Sequence, residues 1–293
     1  MGANQFGRAL GPYLRLMRID RPVGTLLLLW PTLAALWLAA EGVPPVGILA
    51  AFVVGTFLAR SAGCVVNDIV DRKFDAHVAR TRDRPLATRD VSLTAALVLL
   101  AILAVACLAV VLTLNRLAQA LALGGALVAT LYPFLKRWTH WPQAALGVAF
   151  SWGIPMAFAA VNGAVSGAAW LLFAASLTWI VAYDTMYAMV DRDDDLRVGI
   201  KSTAILFGRA DRLIVAGLQV VVLVLLLGLG TVLALRPAYY FAVAVIGGLF
   251  GYQQWLIRRR ERDPCFRAFG NNVWVGFALF AGTVVHGLGL GSP

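Results

Sequence analysis

Nine apolar runs, each long enough or nearly long enough to cross a lipid bilayer, leave this chain few ways to fold. They occupy residues 22–40, 45–64, 92–114, 117–135, 142–161, 168–190, 213–235, 237–257 and 273–290. A helix needs ~20 residues to cover roughly 30 Å of hydrocarbon. A transmembrane β-barrel would instead need short segments that alternate apolar and polar residues. The stretch 220–229 is continuously apolar, so helices are favoured. The expected fold class is therefore an all-α membrane protein of nine transmembrane helices, with 1–293 as one domain. Composition agrees: 60% of the 293 residues are hydrophobic and only 14% are charged, too few for a soluble domain of this length. Residues 1–16 are mixed and polar, and the first apolar run is too long for a signal-peptide core, so no cleavable signal is expected. Cys64, Cys107 and Cys265 lie far apart, with neither a disulfide framework nor a zinc spacing.

The net charge of +10 is unevenly placed. Arg8, Arg15, Arg18 and Arg21 precede the first run. Arg72, Lys73, Arg80, Arg82, Arg84 and Arg89 follow the second, and Lys136 and Arg137 follow the fourth. Arg192, Arg197, Lys201, Arg209 and Arg212 follow the sixth. Arg258, Arg259, Arg260, Arg262 and Arg267 follow the eighth. The alternate loops hold little beyond Glu41, Arg116 and Arg236. The positive-inside rule then puts the N-terminus and the even loops in the cytoplasm and the C-terminus on the far side. Topology and anionic lipid account for much of this charge. No nucleic-acid partner is expected, and no obligate protein partner is evident.

Acidic residues are scarce, yet they cluster twice. The first cluster reads Asn67-Asp68-Ile-Val-Asp71-Arg-Lys-Phe-Asp75. If the second run continues as a helix, steps of three and four put Asn67, Asp68, Asp71 and Asp75 on one face. The second cluster holds Asp184, Tyr187, Asp191 and Asp195, again stepping by three and four, with Asp193 and Asp194 directed elsewhere and solvated. Carboxylates four apart on a helix repel, and Asp184 lies inside an apolar run, where charge is expensive. A cation should offset both costs. Mg²⁺ takes oxygen ligands and commonly bridges one or two carboxylates to substrate phosphates. Two facing stripes of this kind can grip one diphosphate. Helix capping and solvated loop acids would explain one cluster. They explain poorly two of matching spacing, each at the end of an even-numbered run. A cationic segment follows each cluster: Arg80-Thr81-Arg-Asp-Arg84-Pro85 after the first, and Arg197 to Thr203 with Lys201 after the second. Such side chains can bind phosphate oxygens that a metal leaves open.

The string Asn67-Asp-x-x-Asp71-x-x-x-Asp75, then Arg80-Thr81-x-x-Arg84-Pro85-Leu86, resembles the UbiA superfamily of intramembrane aromatic prenyltransferases. Tyr183-Asp184-x-x-Tyr187-Ala-x-x-Asp191-x-x-x-Asp195 with Gly199-Ile-Lys201-Ser202-Thr203 is similar to that family's second signature, and Tyr132-Pro-Phe-Leu-Lys136-Arg137 also fits. The likeness runs along nearly the whole chain. Arg18-Ile-Asp-Arg21-Pro22-Val-Gly24-Thr25 and Trp30-Pro31-Thr32 look most like the branch that acts on 4-hydroxybenzoate in ubiquinone biosynthesis.

The resemblance implies nine helices around a central cavity open to lipid, dependence on Mg²⁺, and a bacterial inner membrane. The implied substrates are polyprenyl diphosphate and 4-hydroxybenzoate, joined at the ring carbon ortho to the hydroxyl. On this reading Asp71, Asp75, Asp191 and Asp195 hold the catalytic metal, with help from Asn67 and Asp68. Arg80, Lys136, Arg137 and Lys201 neutralise the diphosphate. Arg18 holds the acceptor's carboxylate, while Asp184 and Tyr187 lie near its ring. Tyr187, Phe150 and Trp179 offer aromatic faces to an allylic cation. A naphthoate or haem acceptor, or a transporter built on intramembrane acids, stays open at this stage. His77, His140 and His286 show no ligand spacing.

Overall fold

The computed structural model describes residues 3–72, 81–135 and 137–289, with the side chains of residues 3–9 and 198 also left undescribed. Among the described residues all regular structure is helical. The α-helices are α1 (Ala3–Leu16), α2 (Val23–Ala39), α3 (Val46–Asp71), α4 (Leu93–Val111), α5 (Arg116–Leu135), α6 (Pro142–Ser151), α7 (Gly153–Asn162), α8 (Gly167–Val198), α9 (Thr203–Phe207), α10 (Asp211–Val232), α11 (Pro237–Leu256) and α12 (Arg262–Gly287). Among these, eight helical segments are long and apolar enough to cross a membrane, one of them formed by α6 and α7 together and one by α9 and α10. The shorter apolar α2 brings the set to nine.

The ring closes because consecutive helices pack side by side. α2 lies on α3, α3 on α4 and α5, α5 on α6 and α7, and α6 on α8. The circuit continues from α8 to α10, α11 and α12, and α12 returns to α2. Apolar side chains such as Ile102, Leu123, Val224 and Phe241 point outward. In water such a surface would aggregate; in lipid it is the solvated face. The interior is built from Leu36, Ile154, Leu172, Ile180, Leu229 and Tyr239, all fully buried.

Two helical extensions beyond the apolar runs matter for the site. α3 runs to Asp71 and α8 to Val198, beyond the apolar limits at 64 and 190. At 1.5 Å per residue, their 26 and 32 residues span roughly 39 and 48 Å. Both overrun the hydrocarbon, and the overrun carries the acids. Likewise α12 starts at Arg262, well before the apolar run at 273. Residues 3–16 form a helix where hydropathy gave no span.

The 142–161 run is one crossing made of two helices. Pro155 lacks the N–H that would continue the ladder from Ser151, and the helix breaks at Trp152, whose indole N–H donates to the Leu121 carbonyl at 2.7 Å. Asn115 locks the adjacent ends: its amide donates to the Ala159 carbonyl at 2.6 Å and its oxygen caps Ala118 N at 3.0 Å.

The close approach of α11 and α12 needs a glycine. A Cβ on Gly282 of α12 would lie 2.6 Å from the Ala242 Cβ on α11. Gly282→Ala should therefore lower the thermal unfolding midpoint in detergent, at a cost of about 1–3 kcal/mol for overpacking. An unchanged midpoint would mean the two helices can separate freely.

Candidate functional site

One cavity of about 950 Å³ opens at the end of the bundle where α3 and α8 terminate. Its walls come from α2, α3, α5, α6, α8 and α12, and the 81–85 and 200–202 segments lie over its mouth. The helical spacing explains its acidic character. On α3, Arg60, Cys64, Asn67, Asp68 and Asp71 all reach it; on α8, Tyr183, Asp184, Tyr187, Ala188, Asp191 and Asp195 do. Steps of three and four keep each set on one face. The two stripes thus line the same chamber. Asp71, Asp191 and Asp195 are each less than a tenth exposed.

The first stripe is tied to the segments before and after it. Both Asp68 oxygens accept from the Arg18 guanidinium at 2.9 and 3.0 Å, and Arg84 lies 3.1 Å away. Asp68 is 1% exposed, and this double pairing answers its charge. Arg18 itself has φ 58, an unusual left-handed conformation for a non-glycine residue, which lets the chain turn between α1 and α2.

The second stripe is fixed by the segment that follows it. Gly199 caps α8 at φ 73, a conformation that glycine adopts freely. The Thr203 N–H donates to the Gln143 side chain at 3.0 Å, and Thr185 and Thr203 hydroxyls bond at 2.7 Å. Lys201 lines the cavity and donates to the Trp138 carbonyl at 3.2 Å. Asp193 is exposed, but Asp194 is not simply solvated: Arg262 of α12 holds it at 3.3 Å.

Of the remaining assignments, Asn67, Asp184 and Tyr187 line the cavity. Tyr187 packs against Phe269 with ring centroids 4.5 Å apart and planes tilted by 37°. Arg137 donates to the Val70 carbonyl at 2.9 Å and is not among the lining residues. Asp75, Arg80 and Lys136 lie outside the described residues, as does His77. Phe150 lines the cavity, but Trp179 does not: its indole N–H donates to Asn272 at 2.7 Å in the bundle core. His286 accepts from the Arg236 N–H at 3.2 Å, a helix-end contact away from the cavity.

Sequence reasoning missed Arg60. It is the lone charged residue of the 45–64 run, and a charge within an apolar span is itself a functional signal. The structure places its guanidinium against Gly24 and 5.6 Å from the Phe150 centroid. Its Nε is buried and makes no hydrogen bond, and among the described residues it has no acid within 4.0 Å.

Oxygen donors predominate among the acids at the mouth, with cations around them and aromatic rings deeper. Among the described residues no three His, Cys, Asp or Glu side chains converge tightly enough to cage a metal unaided. The donor set suits a hard cation that keeps waters and takes further oxygens from a ligand; it does not suit a soft metal.

A family model for the UbiA prenyltransferase family matches residues 28–281. The chain is 55% identical over 274 residues to a 4-hydroxybenzoate octaprenyltransferase of Tolumonas auensis, covering 94% of this chain and 96% of that one. It is 57% identical over 270 residues to a 4-hydroxybenzoate octaprenyltransferase of Chromohalobacter salexigens, covering 92% and 91%. A UbiA homolog from Aeropyrum pernix superposes with a TM-score of 0.80 at 23% identity, over 90% of this chain and 98% of that one. A UbiA homolog from Archaeoglobus fulgidus bound to GPP and Mg²⁺ superposes at 0.70 and 18% identity, over 92% and 99%.

Proposed function

The chain belongs to the UbiA prenyltransferase family, and from that premise we propose that it transfers a polyprenyl group from polyprenyl diphosphate to 4-hydroxybenzoate, a step in ubiquinone biosynthesis. The carrying observation is the single cavity shared by two acidic stripes, in a chain whose curated relatives of that activity match it over more than nine-tenths of its length.

The chemistry follows the cavity from mouth to depth. Asp71, Asp191, Asp195 and Asn67 present oxygens to Mg²⁺, with Asp75 assigned to the same role from its spacing. When bound, Mg²⁺ supplies positive charge to the leaving diphosphate. Lys201 offers a further cation from the mouth, and Arg80, Lys136 and Arg137 are assigned the same role from their place in the sequence motifs. The C1–O bond of the prenyl group breaks, and its electron pair leaves with the diphosphate. Tyr187 and Phe150 face the resulting allylic cation and exclude water from it. The ring carbon ortho to the phenol forms the new bond to C1, and the ring proton passes to the released diphosphate, which carries the electron pair of the broken bond. Asp184 accepts a hydrogen bond from the phenol and raises the electron density of the ring.

Asp68 serves differently from its neighbours in this reading. Its oxygens are engaged by Arg18 and Arg84, so it orders the mouth rather than the metal. Arg18 is correspondingly occupied, and the acceptor's carboxylate falls to Arg60.

The integral membrane setting has a physical reason: a polyprenyl tail is too apolar to leave lipid readily, since each buried CH₂ favours the membrane by about 0.8 kcal/mol. The bacterial relatives support an inner-membrane location, and the loop cations support an orientation with the N-terminus and the cavity mouth cytoplasmic and the C-terminus periplasmic.

Membranes carrying the chain should convert 4-hydroxybenzoate and a polyprenyl diphosphate to the prenylated acid, with the activity lost on chelation by EDTA. Turnover of 1,4-dihydroxy-2-naphthoate but not 4-hydroxybenzoate, measured by chromatography of the extracted lipid, would overturn the acceptor assignment.

A further inference from the structure

Asp211 is the first residue of α10 and is fully buried, 20 positions beyond Asp191 and outside both acidic stripes. A buried carboxylate is costly unless cations and hydrogen bonds answer it. Here three groups do. The Arg192 guanidinium donates to Oδ2. Arg260 contributes Nε at 2.9 Å to Oδ1 and holds a second nitrogen 2.8 Å from the same oxygen. The Arg212 backbone N–H donates to Oδ1 at 2.6 Å.

What these partners connect is more informative than their number. Arg192 directly follows Asp191 on α8, so its position is rigidly related to the acidic stripe. Its guanidinium also donates to the carbonyls of Ala204 and Gly208, which lie in and after α9. Arg260 sits in the link between α11 and α12 and also donates to the Arg209 carbonyl at 2.8 Å. It adopts φ 57, a conformation that is uncommon for a non-glycine residue. Such strain persists where the surroundings over-determine it, and here Asp211 and the Arg209 carbonyl do so. The node therefore joins the last turns of α8 to α9, α10 and the start of α12. The segment carrying Lys201 lies between α8 and α9 and is bracketed by the same contacts.

We propose that Asp211 is a positioning residue for the second acidic stripe: through Arg192 it sets the rotation and height of the α8 end, and with them the metal-facing carboxylates of Asp191 and Asp195 and the phosphate-facing Lys201. The proposal rests on the metal-bridged diphosphate reading given above. Arg18–Asp68–Arg84 is the corresponding arginine-clamped aspartate beside the first stripe, although Asp68 itself lines the cavity and Asp211 does not. Supporting groups around metal ligands typically govern metal affinity, because a small misplacement weakens every ligand at once.

The test uses the full chain purified in detergent. Asp211→Asn should raise the Mg²⁺ concentration for half-maximal activity roughly tenfold, the scale for losing a supporting partner. The KM for prenyl diphosphate should rise with it while the KM for 4-hydroxybenzoate holds. The rise in unfolding midpoint on adding Mg²⁺ with inorganic diphosphate should shrink. Asp211→Glu, which keeps the charge, should recover part of each. If Asp211→Asn does not accumulate, Arg260→Gln leaves the Arg192 pair in place and should show the same pattern more weakly. A lowered midpoint with unchanged Mg²⁺ dependence in the surviving enzyme would make Asp211 merely structural and overturn the inference. Asp191→Ala is the control: if it keeps normal Mg²⁺-dependent turnover, the metal reading itself fails; if it loses turnover while Asp211→Asn keeps normal Mg²⁺ dependence, only the positioning role does.

Discussion

Asp71→Ala and Asp191→Ala are each expected to lower prenyl transfer by about 10³-fold or more, because each removes a charge on which the leaving diphosphate's electrostatic stabilisation depends. The two residues lie on different helices, α3 and α8, yet line one cavity. If they hold the same diphosphate from opposite sides, the double variant should be little worse than either single, since groups acting as a unit are strongly non-additive. Independent roles would instead multiply the losses. Both single variants should elute from size exclusion as the parent does and keep its helical circular dichroism, because neither residue contributes to the apolar interior that closes the ring. Radiolabelled prenyl transfer at saturating Mg²⁺ gives the measurement. Near-normal turnover in both variants would sink the metal-bridge reading, whatever the family resemblance.

The sequence made the helices legible because hydrocarbon leaves only one economical solution for a spanning backbone. It did not make their ends legible. Beyond residues 64 and 190 the chain is polar, and hydropathy has nothing further to say, yet α3 and α8 continue as helices to Asp71 and Val198. The stripe spacing carried the information that hydropathy lacked: a step of three or four is meaningful only on a helix. Long-range pairing was the unreadable part. Arg18 and Asp68 are 50 residues apart, and Arg192 and Asp211 are separated by a helix and a turn. Nothing in local pattern marks these as partners, so the pairing that joins Arg18 to Asp68 was not readable beside the metal and acceptor roles proposed for them. Arg60 was legible and was overlooked. A lone cation inside an apolar run is not explained by topology, because the positive-inside rule concerns charges in loops and near span ends. It lines the cavity half-buried beside Gly24 and Phe150, a charged group among the cavity's deeper walls.

That location leads to the second large effect. Arg60→Gln should raise the KM for 4-hydroxybenzoate by roughly 10²-fold, the scale for losing a charge-assisted, desolvated hydrogen bond. The KM for prenyl diphosphate should hold, since the acids of the mouth are untouched. Substrate analogues sharpen the result. The parent should strongly prefer 4-hydroxybenzoate to its methyl ester, because the ester leaves the guanidinium buried and unanswered, and sites built to bind a polar group reject analogues that lack it. In Arg60→Gln that preference should collapse, with the acid losing and the ester nearly unaffected. Lysine is a poor replacement, because it cannot match a carboxylate with two parallel donors. Gly24→Ala probes the same contact without removing the charge. Its Cβ would fall 2.5 Å from an Arg60 guanidinium nitrogen and 2.8 Å from Nε, so the flexible head must shift. A smaller rise in the same KM should follow. Should Arg18→Gln rather than Arg60→Gln abolish the discrimination between acid and ester, the carboxylate belongs at the mouth. The acceptor would then lie with its acid group toward the stripes, an orientation that sets two anions side by side. On the proposed reading Arg60 would avoid that repulsion by holding the carboxylate deep in the cavity, with the phenol and its ortho carbon directed back toward Asp184 and the diphosphate.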